Sequence, residues 1–84
     1  MLKITNIKFQ DNGNWFESNL MACVDIIQKG KSWKNIREVR KYIKYLLTPN
    51  KNNKDYYIEV LNNKQSILYR YNAKKRTITL IEKF

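Results

Sequence analysis

Apolar and polar residues alternate along the chain first with a period of two, then near 3.6, then with a period of two again, the spacings of strand, helix and strand. Residues 2–9, LKITNIKF, read as a strand whose inward phase switches between Ile4 and Ile7, which predicts a bulge or bend near Thr5–Asn6. Asp11, Asn12 and Gly13 then turn the chain. Asn14, with Glu17 three residues later in capping-box spacing, predicts a helix from Trp15 to a stop at Gly30. Its apolar residues Phe16, Leu20, Cys23, Val24 and Ile27 fall within about 100° of arc and form a core-facing stripe. Ser32 is the expected N-cap of a second helix over 33–47, ended by Thr48-Pro49, with Ile36, Val39, Ile43, Leu46 and Leu47 as its buried face. The short connection Gly30-Lys31-Ser32 makes the two helices an antiparallel pair or a bent helix-turn-helix.

From Asp55 onward the segments are short and rich in β-branched and aromatic residues: 55–61, 66–72 and 76–82, separated by Asn- and Lys-rich turns. Asn62-Asn63 suits a tight hairpin, because Asn tolerates positive φ. The expected fold class is α+β: an antiparallel sheet of the N-terminal strand plus a C-terminal three-strand meander, two helices packed on one face, order β-α-α-β-β-β. With no repeat and no linker-like stretch, residues 1–84 are expected to form a single basic domain.

At 84 residues the chain has room for one modest core, burying a little over about 60% of what the unfolded chain exposes. Seventeen Lys and Arg against seven Asp and Glu leave a net charge of +10, and a body this small holds that charge only against its own repulsion. A polyanionic partner relieves the repulsion: nucleic acid first, then an acidic protein surface, with an anionic membrane set aside. The single Cys23 has no partner for a disulfide, and the apolar residues of the N-terminus are broken by Lys3, Asn6 and Lys8, so neither secretion nor a membrane span is expected; the cytoplasm is the expected compartment. Lys, Asn, Ile and Tyr, all with AT-rich codons, dominate the composition, which fits a phage or mobile element among other AT-rich sources.

On a helical wheel, 33–47 gathers Lys34, Arg37, Arg40, Lys41 and Lys44 within about 120°, with Trp33 in their midst and Tyr45 near the edge. The pairs 37/40, 37/41, 40/44 and 41/44 carry like charges at helical contact spacing, and only Glu38 offers local relief. A surface made for solubility alone interleaves signs, so this ribbon is expected to lie on phosphates, with Trp33 or Tyr45 stacking on a base. Lys74, Lys75 and Arg76 form a second basic set at the tip of the last hairpin. Arg70 lies nearby on the sheet face opposite Ile67, Tyr69 and Tyr71, which are expected to close the core. A Lys-rich ribbon positions on phosphates without reading base edges, which favours RNA or a ribonucleoprotein over sequence-specific DNA.

There is no histidine, one cysteine cannot build a zinc site, the carboxylates are scattered, and no glycine loop cradles a phosphate; no metal, cofactor or catalytic residue is expected. The expected function is a small RNA-binding protein that acts by occupancy, as an accessory or inhibitory, anti-defence factor. Binding to an acidic protein surface is one alternative. The other comes from layout: strand, helix, helix, three-strand meander, a basic balance and the ending SILYRYNAKKRTITLIEKF resemble the RelE/ParE toxin family. That resemblance implies a ribosome-directed messenger ribonuclease, with Arg70, Tyr71, Arg76 and Glu59 best placed to act. The chain departs from the family in its short loop 49–54, in Tyr57, Ile58 and Glu59 where second-strand arginines are usual, and in lacking the C-terminal His or Tyr.

Overall fold

Strand β1 (Leu2–Asp11) is an interior strand of the sheet that pairs with three others and organises the rest. The computed structural model describes residues 1–47 and 54–83. After β1 come β2 (Asn14–Glu17), α1 (Met21–Lys29), β3 (Ser32–Trp33), α2 (Ile36–Leu47), β4 (Asp55–Asn62), β5 (Gln65–Asn72) and β6 (Thr77–Lys83). The sheet has six strands, every pairing antiparallel, in the order β2-β1-β4-β5-β6, with β3 on the start of β1. The α+β class and the succession strand, two helices, three-strand meander are as expected, with two short strands added.

The phase switch in β1 is a bulge. Ile4 pairs with Val60 and Asn6 with Glu59, so Thr5 is the extra residue, and its hydroxyl donates to Glu59 Oε1 at 2.7 Å. The bulge lets Leu2, Ile4 and Ile7 all face the core. A second shift sets Leu68 opposite Glu82 and Tyr69 opposite Leu80, which leaves Ile81 unpaired on the edge strand.

Two boundaries differ from expectation. Residues 14–17 are strand, not the first turn of a helix: Asn12 and Gly13 both take positive φ, 50° and 81°, and form the two-residue turn whose twist suits a hairpin. The returning strand pairs Lys8 through Asp11 with Glu17 through Asn14, and Trp15 stacks on Tyr57 at 3.8 Å between ring centroids. Helix α1 therefore begins at Met21 without a side-chain cap, and Phe16 lies outside its stripe; Cys23 and Ile26 are its buried residues. Gly30 ends it in the left-handed conformation, as expected.

The second helix starts at Ile36 rather than at 33, because Ser32 and Trp33 pair with Lys3 and Leu2 in the sheet. Its cap is Asn35, whose side chain accepts the Glu38 N–H at 3.0 Å, while the Glu38 carboxylate accepts the Lys34 N–H at 3.2 Å. The expected stop at Thr48-Pro49 lies outside the described residues. Val39, Ile43 and Leu47 are fully buried against the inner sheet face, where Tyr56, Ile58, Val60, Tyr71 and Ile78 meet them in one core. Each such aliphatic side chain contributes about 1.5–3 kcal/mol by leaving water. The other sheet face stays uncovered, and it carries four of the seven acidic residues: Glu17, Asp55, Glu59 and Glu82.

Candidate nucleic-acid interface

Helix α2 divides into three faces. At about 100° per residue, Val39, Ile43 and Leu47 point into the core. Arg37, Arg40, Lys41 and Lys44 follow along one flank, all exposed, and with Ile36 they border a shallow hollow of about 340 Å³. Glu38, Tyr42 and Tyr45 follow on the other flank, with Lys41 on the border between the two. Like charges at three- and four-residue spacing on the cationic flank cost a few tenths of a kcal/mol per pair.

No acidic side chain neutralises this flank among the described residues. Their three ion pairs lie elsewhere: Lys29 with Asp25 at 3.0 Å, Lys54 with Asp11 at 3.6 Å, and Arg70 with Asp55. Arg40 alone is tied down, donating from Nη2 to the Ile78 carbonyl at 3.2 Å. It also lies close enough to Tyr69 to offset part of the upward push that burial gives the phenol. Arg40 thus fastens the helix to β6 while the flank continues past it.

The remaining predicted positions divide. Lys34 is exposed but lies just before the helix. Trp33 is not among the cations: it sits on β3, 8% exposed, and forms part of the core wall. Lys74, Lys75 and Arg76 are exposed in the β5–β6 turn, where the Asn72 side chain accepts the Lys75 N–H at 3.0 Å and Arg76 takes φ 55°. That turn leads into β6 two residues before Ile78, whose carbonyl Arg40 holds, so the basic turn and the cationic flank are linked through β6. Arg70 stands on the uncovered sheet face, away from α2, and its bond to Asp55 holds its guanidinium still further above the usual value.

Of the four positions that the toxin-like layout implies, Glu59 and Arg70 share the uncovered face. Tyr71 is fully buried on the opposite face and Arg76 is in the turn, so the four do not converge. No group of three or more His, Cys, Asp or Glu gathers as a metal site, and no helix is long and apolar enough to cross a membrane, among the described residues.

Trp33 and Tyr45, the two rings expected beside the cations, meet in one cluster through Tyr42, which the sequence pattern did not single out. Trp33 and Tyr42 lie 5.1 Å apart at 48°, Tyr42 and Tyr45 6.0 Å apart at 47°. The Lys31 ammonium stands 4.7 Å over the Tyr42 ring and 5.7 Å over Trp33. With Glu38 and Lys41 these rings line a second recess of about 340 Å³. The periodicity of α2 alone carries Tyr42 and Tyr45, but Trp33 and Lys31 join them only through the β3–β1 pairing.

Comparison with protein-family models, curated proteins and solved structures finds no match.

Proposed function

We propose that the protein is a small basic RNA-binding module that acts by occupancy, laying the exposed flank of α2 on the phosphates of RNA or of a ribonucleoprotein. The observation that carries the reading is the separation of charge. Arg37, Lys41 and Lys44 have no acidic partner among the described residues, while most of the carboxylates sit on the uncovered sheet face across the molecule. Cations held close together at a cost to the helix are what a phosphate backbone rewards, by neutralisation and counterion release. The basic turn at Lys74, Lys75 and Arg76 lengthens the surface at the β6 end.

The test compares two charge-matched variants for RNA binding after circular dichroism has shown both to be folded. Arg37→Glu with Lys44→Glu reverses two cations of α2. Lys3→Glu with Lys64→Glu makes the same change of net charge on exposed positions elsewhere. The first pair is expected to abolish binding and the second to weaken it slightly. Equal losses would mean that net charge, not this surface, holds the RNA. Retention of a protein partner after nuclease treatment, with RNA unbound by the parent, would replace RNA by an acidic protein groove.

A further inference from the structure

We infer that the recess between β3 and α2 receives an unpaired nucleobase, so that the protein takes single-stranded RNA in preference to duplex; the inference rests on the RNA-binding reading above. The recess has the parts a base needs and a phosphate does not. Tyr45 is 75% exposed, an unusual state for a large aromatic side chain, and its ring inclines toward Tyr42 to leave an open apolar wedge. Trp33 borders the wedge from β3, and the Lys31 ammonium lies over Tyr42 and Trp33. At the rim the Glu38 carboxylate, whose Oε2 accepts the Lys34 N–H, has its other oxygen as an acceptor for an N–H on a base edge.

Continuity with the cationic flank selects the occupant. Lys41 lines both the recess and the cationic hollow, and along the helix axis Arg37, Lys41 and Lys44 follow one another at roughly 5 Å. A nucleotide whose base enters the wedge therefore has its phosphate at Lys41 and its neighbours' phosphates along the flank. In a duplex the base faces are already stacked and paired and none can enter, whereas a single strand presents one face after another. An apolar protein side chain would fit the wedge but gain nothing from the adjoining cations.

Fluorescence anisotropy with three probes tests this: a uridine RNA strand of about twelve nucleotides, a duplex RNA of equal length, and long-chain polyphosphate, which carries the charge without bases. Tyr45→Ala, at an exposed position, is expected to weaken strand binding about tenfold and to leave duplex and polyphosphate binding unchanged, with Tyr45→Trp restoring the strand. In a Trp15→Phe background Trp33 is the remaining tryptophan, and the strand, but not polyphosphate, is expected to change its emission. Equal weakening of all three probes by Tyr45→Ala, or none, overturns the base recess while leaving the phosphate surface standing. A parent protein that binds none of the three overturns both.

Discussion

Salt titration tests how many phosphates the proposed α2 surface contacts. Lys34, Arg37, Lys41 and Lys44 are exposed and enter no ion pair among the described residues, whereas Arg40 already spends a donor on the Ile78 carbonyl. Four phosphate contacts on a single strand contribute about −2.8 to the log–log slope, at about −0.7 per contact, before any contact that the basic turn adds. Raising salt from about 50 to about 200 mM then lowers affinity about fiftyfold. Replacing Lys41 or Lys44 by Ala removes one contact each, moving the slope to about −2.1 and the loss to about twentyfold. Arg40→Ala behaves differently: it changes the slope less and costs about 1 kcal/mol of stability, because its bond to β6 is lost. The assay is anisotropy of a labelled RNA strand across a salt series, with urea unfolding of each variant run in parallel. A slope near zero, or one that Lys41→Ala and Lys44→Ala leave untouched, would refute the phosphate surface.

Arg37 stands in the first turn of α2, next to like charges at Arg40 and Lys41 and at the positive end of the helix dipole, so Arg37→Gln is expected to raise stability by about 0.5 kcal/mol while weakening RNA binding; thermal melts and anisotropy check the two opposite signs. Asn35→Ala removes the acceptor of the Glu38 N–H and is expected to cost about 1 kcal/mol, lowering the melting temperature by about 4–8 °C. Burial pushes up both the Cys23 thiol and the Tyr69 hydroxyl, so the folded chain keeps these protons longer than the unfolded one. From these two groups the contribution to stability is expected to hold through neutral pH, to fall as pH rises past the ordinary thiol value of 9.0, and to fall further past the ordinary phenol value of 10.0. Urea midpoints across that range measure the fall, and Cys23→Ala is expected to remove its first portion.

The sheet was largely legible because its residues report their own faces. Ile4 and Ile7 cannot both point inward in an unbroken strand, so a bulge at Thr5 follows from the sequence and recurs in the register. The two short strands were not legible, since four and two residues gain their stability from β1 rather than from local preference. Asn14 and Glu17 carry capping-box spacing, but Asn12-Gly13 carries the hairpin signal, and a hairpin that also stacks Trp15 on Tyr57 prevails. At the second helix the same spacing occurs at Asn35 and Glu38, three residues beyond Ser32. The cationic flank survives that shift because Arg37 through Lys44 stay helical whichever start is used. Trp33 does not: its place among the cations depended on the helix reaching back to it, and the sheet claims it instead.

Helix α2 is held by its surroundings more than by its own sequence. Isolated helices of about a dozen residues are marginal in water, and this one adds like-charge repulsion along one flank. What offsets both is tertiary: Val39, Ile43 and Leu47 fully buried on the sheet, the Asn35 cap, and the Arg40 bond to β6. Because the core face supplies the stability, the two solvent faces need not, and one can gather cations while the other leaves a tyrosine ring exposed. The opposite sheet face, where Glu17, Asp55, Glu59 and Glu82 stand beside Lys3, Lys8 and Arg70, is close to neutral, so the proposed polyanionic partner would meet the denser positive charge on the α2 side. A fold that needed its charges interleaved for stability would have had no such direction.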